Sequence, residues 1–359
     1  MPWYRTLVGI GGAFMLGLSA CGTDQPTQAR SQPYLGTGGA WGNDNGTGGA
    51  PAGSGGANAA SLPAATGNPG TGGSGGSGGG NEVDTVPGGG APANVASVDC
   101  PAAAFAPGTA YEQRSLGHDG RQRVYYIDVP TSVDTGRPSP LVIDIHGNGS
   151  SAQREYGQSK LSELALEEAF ILVTVEGVSN TWNSDASRSG TDDMGYLNAV
   201  IDEVEATVCV DPKRIHMAGM SLGAVTTSTY TCLHGERLAG TAPVEGGLTY
   251  SGCQLPRPLP VALFHGTDSF VNINTTGASE RDRFIAMNGC SGEPEVTDHG
   301  NGSHCSEWTR CDPGGAVLFC VSEGMGHCWP GSPCQLGSAN MDIHANRVMW
   351  DFWQRHPTL

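Results

Sequence analysis

The sequence predicts an α/β domain, a mostly parallel sheet with helices on both faces. Short apolar runs of strand length alternate with longer stretches of helical spacing. Alternating β and α units build parallel sheets that are covered on both sides. A second observation agrees: the strand-like run around Arg214 to Ala218 breaks at Gly219-Met220-Ser221-Leu222-Gly223, and a helical stretch follows from Ala224 to His234.

In chain order, Met1 to Ala20 reads as an export signal, with Arg5 ahead of an apolar stretch from Leu7 to Leu18 that is too short for a permanent membrane span. Leu18-Ser19-Ala20-Cys21 resembles a bacterial lipobox, which implies cleavage before Cys21 and lipidation of its sulfur. Ordinary signal cleavage with a free Cys21 is the alternative. Residues 21–98 form the expected tether, mostly Gly, Ala, Ser, Thr, Pro and Asn after Cys21. With so few large apolar groups it cannot offset its ordering entropy, and it should stay disordered. As a Gly-rich coil it would span about 45–50 Å. Residues 99–359 remain, enough for one domain with a single sizeable core.

Within that domain Gln122–Val129 reads as an early strand. Leu141–Ile145 is a short buried-strand pattern that ends in His146-Gly147-Asn148-Gly149. Glu155–Glu168 has helical spacing, and Ala169–Val175 is again strand-like. From Asp193 to Val208, Met194, Leu197, Ile201, Val204 and Val208 share one helix face. Ala242-Pro243-Val244, Pro260–His265 and Ala316–Val321 read as further strands. Met341–Arg355 is a closing helix with Ala345, Val348, Met349 and Phe352 on one side.

The net charge of −17 and the lack of a basic stripe argue against a nucleic-acid partner. Eleven cysteines in an exported chain point to disulfides, and a lipid on Cys21 leaves an even number for the domain. Cys328–Cys334 and Cys232–Cys253 are the simplest pairs by sequence proximity. Zinc in the Cys/His-rich stretch from His299 to Cys334 is the competing use, disfavoured by export and by the lack of a C-x-x-C pair. No metal or organic cofactor is implied.

Gly-Met-Ser-Leu-Gly fits a nucleophile elbow, a tight turn that holds a serine in strained, exposed geometry. The short pattern alone is weak, since Gly72-Gly73-Ser74-Gly75-Gly76 matches it inside the tether. The flanking strand and helix single out Ser221. Later strands run into Gly266-Thr267-Asp268 and Glu323-Gly324-Met325-Gly326-His327, so Ser221, Asp268 and His327 follow one another in the chain order of an α/β-hydrolase triad. Serine at neutral pH needs a base, imidazole can take and return its proton, and a carboxylate fixes the imidazole. Glu245, just past Ala242-Pro243-Val244, rivals Asp268 as the acid, and Asp298 is a weaker competitor. His146 and His265 read as strand-end histidines bonded to backbone. Backbone N–H groups of Asn148 or Gly149, together with Leu222, are the expected oxyanion donors.

On His146-Gly147-Asn148-Gly149, Asp192-Asp193, Val210-Asp211-Pro212-Lys213-Arg214, Gly219–Gly223, His265-Gly266-Thr267-Asp268 and Gly326-His327-Cys328-Trp329-Pro330-Gly331, the chain resembles exported esterases. These are the polyhydroxybutyrate-depolymerase and feruloyl/acetylxylan-esterase group of carbohydrate esterase family one. The resemblance implies the α/β-hydrolase fold, with Ser221 as nucleophile, Asp268 as acid and His327 as base. The acid loop is one residue shorter than the His-Gly-Thr-x-Asp expected of the group, and Asn148 stands where many relatives carry Cys. Trp182, Trp329 and Tyr156, with Trp308, are candidates for an aromatic or sugar-facing cleft, against the plainer reading that they pack in the core. The expected substrate is a polyester oligomer or an esterified saccharide, with membrane contact only through the N-terminal lipid. A serine peptidase, or a non-catalytic glycan- or partner-binding lipoprotein on the same fold, stays open at this point.

Overall fold

The computed structural model describes residues 100–184 and 190–357. The signal segment, Cys21 and the tether lie outside the described residues.

Among the described residues ten strands form one sheet: β1 (Thr109–His118), β2 (Arg121–Val129), β3 (Ser139–Ile145), β4 (Ile171–Val175), β5 (Val210–Met220), β6 (Gly240–Val244), β7 (Pro260–Gly266), β8 (Glu295–Gly300), β9 (Ser303–Trp308) and β10 (Ala316–Ser322). Their spatial order is β1-β2-β4-β3-β5-β6-β7-β10-β9-β8. From β4 to β10 all neighbours are parallel, and antiparallel strands finish both edges. β3, β4, β6, β7 and β10 are buried along their whole length, which is why they appear in the sequence as continuous apolar runs.

Among the described residues six α-helices cover the sheet: α1 (Ala152–Ser159), α2 (Leu161–Glu168), α3 (Asp193–Thr207), α4 (Leu222–His234), α5 (Ala278–Met287) and α6 (Ala345–Arg355). Side chains of α3, α4 and α5 pack with Leu141, Ile143 and Met217 on one face. Those of α2 and α6 pack with Val142, Ala218 and Phe264 on the other. The single helix expected over Glu155–Glu168 is two helices. Lys160 stands between them in left-handed geometry at φ 53° and ends α1 with a bond to Tyr156 O. The closing helix starts at Ala345 rather than Met341, because Asp342 is drawn into a loop by Asn301, Ser303 and Asn340.

The Asp192-Asp193 segment is structural. Asp192 caps α3 by accepting from Gly195 N, and Asp193 forms a buried ion pair with Arg123 at 2.7 Å. Five disulfides join Cys100–Cys209, Cys232–Cys253, Cys290–Cys311, Cys305–Cys320 and Cys328–Cys334, so both simplest pairs form. The cysteines between His299 and Cys334 are therefore held as disulfides.

Register sets where the site can be. Ile145 pairs with Gly219, Met220 with Val244, and Gly266 with Ser322, so the carboxyl ends of these parallel strands finish level. Sites in such sheets lie beyond those ends.

Candidate active site

Ser221 follows β5 directly, with φ 58° and ψ −119°, a strained conformation for a residue with a side chain. Its N–H bonds Val244 O at 2.9 Å, which ties the turn to the neighbouring strand. The flanking glycines have the expected steric role. A Cβ on Gly219 would sit 2.7 Å from Gly223 O, and one on Gly223 would collide with Ile145 O and lie 2.7 Å from His146 O. The turn fits only because both are bare. Gly147 belongs to the same contact, since a Cβ there would be 3.2 Å from that of Ser221.

His327 follows β10 and is buried. Its loop is clamped by His327 N to Leu336 O at 3.1 Å, Gly326 N to Ser338 O at 2.9 Å, and the Cys328–Cys334 disulfide. The ring of Phe270 lies against the imidazole at 4.0 Å between centroids. Nε2 is buried without a hydrogen-bond partner among the described residues, while Ser221 and His327 line one cavity of about 210 Å³.

At Nδ1 the structure differs from the expectation. The carboxylate that faces it is Glu245, with Oε2 3.4 Å away. Glu245 is fully buried at the end of β6, in left-handed geometry at φ 56°. Its N–H bonds Phe264 O, and its Oε1 accepts from Gly266 N. Asp268 is exposed, and among the described residues its carboxylate has no contact with His327. Its backbone N–H instead bonds Met325 O at 3.0 Å, stitching the two loops together. The following residue reaches the imidazole: Ser269 Oγ lies 3.2 Å from Nδ1 and also accepts from Val271 N at 3.1 Å.

Of the expected oxyanion donors, the Gly149 N–H is already used, bonding Asn180 O at 2.7 Å. The N–H groups of Asn148 and Leu222 have no acceptor among the described residues, and Leu222 opens α4, where helical N–H groups are free. The candidate cleft aromatics sit elsewhere. Trp182 and Trp329 are buried and donate to His146 O and Asn346 Oδ1, each at 2.8 Å. Tyr156 donates to Asp128 Oδ1 at 3.0 Å, and Trp308 packs against the core. None of the four lines a cavity beside Ser221. Trp182, Trp329 and Tyr156 satisfy their polar atoms inside the fold.

His146 matches its expectation: Nδ1 donates to Gly147 O at 2.7 Å and Nε2 accepts from Gly177 N at 3.0 Å. His265 does not. Neither of its ring nitrogens has a hydrogen-bond partner among the described residues, and Glu280 Oε2 lies 3.7 Å from Nε2.

The sheet order, the elbow and the level strand ends define the α/β-hydrolase class. No protein-family model matches the chain. It is similar to feruloyl esterase B of Piromyces equi, 29% identical over 57% of this chain and 42% of that protein. It is also similar to feruloyl esterase D of Neurospora crassa, 26% identical over 66% of this chain and 83% of that one. The chain thus spans less than half of the Piromyces protein. Among solved structures, acetyl xylan esterase from Aspergillus awamori superposes with a TM-score of 0.54 at 14% identity, covering 68% of this chain and 99% of that one. These likenesses agree with the carbohydrate-esterase resemblance read from the motifs.

Proposed function

We propose that this protein is an exported serine carboxylic-ester hydrolase that works through an acyl-enzyme, with Ser221 as nucleophile, His327 as base and Glu245 as acid. The observation that carries the reading is the strained Ser221 sharing a cavity with the unpartnered Nε2 of His327, whose Nδ1 faces a buried carboxylate. Nε2 takes the hydroxyl proton as Oγ attacks the ester carbonyl, then returns it to the leaving alcohol. Glu245 holds the Nδ1–H tautomer and stabilises the imidazolium. Asn148 N–H and Leu222 N–H receive the oxyanion, helped by the positive end of α4.

The names of the relatives support an esterified saccharide as substrate, of feruloyl or acetyl type. Hydroxyalkanoate oligomers are the second substrate to test, from the motif resemblance. Five disulfides support export, and Cys21 remains the proposed lipid site. The test is a panel of p-nitrophenyl acetate, methyl ferulate, acetylated xylan and hydroxybutyrate oligomers, with Ser221→Ala alongside. Turnover that Ser221→Ala lowers by about 10⁴ or more supports the reading. Silence on the whole panel, or activity that survives Ser221→Ala, ends it.

A further inference from the structure

Ser221 stands between two cavities, one largely apolar and one richer in polar groups. One is lined by Leu222, Val225, Phe270 and Val271. The other holds His327 together with Asn148, Arg154, Gln158, Gln335 and Glu155. His327 must protonate the departing oxygen, so the alcohol half of the ester belongs on the polar side and the acyl half on the apolar side. This step rests on the esterase reading above.

Glu155 is the anomaly of the polar cavity. It is 1% exposed on α1, and its Oε1 has no hydrogen-bond partner among the described residues. Among the described residues no ion pair with a cation compensates it; its charged neighbour is another buried carboxyl, Asp144. A buried polar atom left without a partner is costly, and such atoms in folded proteins call for an explanation. We propose that Glu155 is a specificity residue, whose carboxyl hydrogen-bonds a hydroxyl of a polyhydroxylated leaving alcohol seated in the polar cavity.

Burial, and after it the Asp144 carboxyl, push Glu155 well above the usual carboxylate range. The raised value favours the protonated carboxyl, which can both donate and accept and so suits a sugar hydroxyl that does the same. Asp144 is pinned behind it, accepting from Ser159 Oγ at 2.7 Å. A site built to hydrogen-bond a substrate hydroxyl discriminates strongly against partners that lack one, because its own polar groups are then left unpaired.

The experiment compares two acetate esters on the full chain: a monoacetylated methyl xyloside, whose alcohol carries hydroxyls, and p-nitrophenyl acetate, whose alcohol carries none. The readout is the ratio of kcat/KM for the xyloside to that for the phenyl ester. Glu155→Leu should lower the ratio about tenfold or more, while Glu155→Gln, which still donates and accepts, should keep most of it. An unchanged ratio in Glu155→Leu overturns the proposal, as does an equal fall in both variants. A parent that hydrolyses neither ester would instead sink the esterase reading itself.

Discussion

Glu245 Oε2 faces His327 Nδ1 at 3.4 Å across the end of an intervening strand. The two residues follow β6 and β10, which are separated in the sheet by β7. Two strand spacings are roughly 10 Å, so the carboxylate must pass over the end of β7 to reach the imidazole. Gly266 lies at that end and donates its N–H to Glu245 Oε1. The reach suits a glutamate, one methylene longer than aspartate. The left-handed backbone at Glu245 is the strain that aims it.

Ser269 should act through His327. Its hydroxyl shares the Nδ1 side of the ring with Glu245. Ser269→Ala is expected to lower kcat several-fold with little change in KM. Placing a carboxylate there should partly replace the buried acid, so Glu245→Gln with Ser269→Asp should exceed Glu245→Gln alone by about tenfold in kcat/KM. Equal activity of the two would show that residue 269 has no electrostatic access to the imidazole.

The His327 loop should depend on the Cys328–Cys334 bridge more than the fold does. That bridge closes a short segment whose Leu336 and Ser338 carbonyls hold His327 and Gly326. Cys328→Ser with Cys334→Ser is expected to lower kcat and leave most of the melting temperature in place. The Cys100–Cys209 bridge predicts the reverse, since it ties together residues 109 apart. Its removal should cost about 3–5 kcal/mol in unfolding free energy while kcat is kept. Denaturant titration and steady-state kinetics on both pairs of variants check the contrast.

His216 should make the fold acid-sensitive. Its ring is buried and stacked on Trp353 at 4.4 Å, with neither nitrogen hydrogen-bonded among the described residues. Burial, and then Arg214, lower its pKa from 6.5 to about 3. Between those values the unfolded chain binds a proton that the folded chain refuses, so this contribution to stability is complete above pH 6.5 and is lost on acidification toward 3. Asp144, raised by burial from 3.8 to about 7, acts in the opposite sense, stabilising at low pH and losing that effect as pH rises through 7. His216→Phe leaves Asp144 in place. The variant should therefore gain on the parent by up to about 1.4 kcal/mol per pH unit as pH falls from 6 to 4. A constant difference across that range would refute the assignment.

Much of this was legible in the sequence, for identifiable reasons. β3, β4, β7 and β10 have both faces buried, so their apolar runs are unbroken. β8 is an exposed edge strand of mostly polar residues, and β1 is exposed or half-buried along its length; neither leaves a clear periodic signal. The break at Lys160 has no marker in sequence, because lysine carries no preference for left-handed backbone. Ser221 and His327, the proposed nucleophile and base, stand out in the sequence because each follows a strand within a glycine-flanked motif. The proposed acid is less legible. Asp268 and Glu245 both stand at strand ends, and the sheet order, which puts β7 next to β10, favours Asp268; only the side-chain geometry shows which carboxylate turns inward. The relevant signal was Glu245 immediately after the Ala-Pro-Val strand. Among the proposed oxyanion donors, the Gly149 N–H is bonded to Asn180 O, a contact that sequence could not show.

The most direct measurement is the rate of fluorophosphonate labelling, with the labelled residue mapped by mass spectrometry, for the parent, Glu245→Gln and Asp268→Asn. The account predicts label on Ser221, slowed by about 10³ or more in Glu245→Gln and unaffected in Asp268→Asn. Label on any other residue, or slowing by Asp268→Asn with Glu245→Gln unaffected, would contradict it.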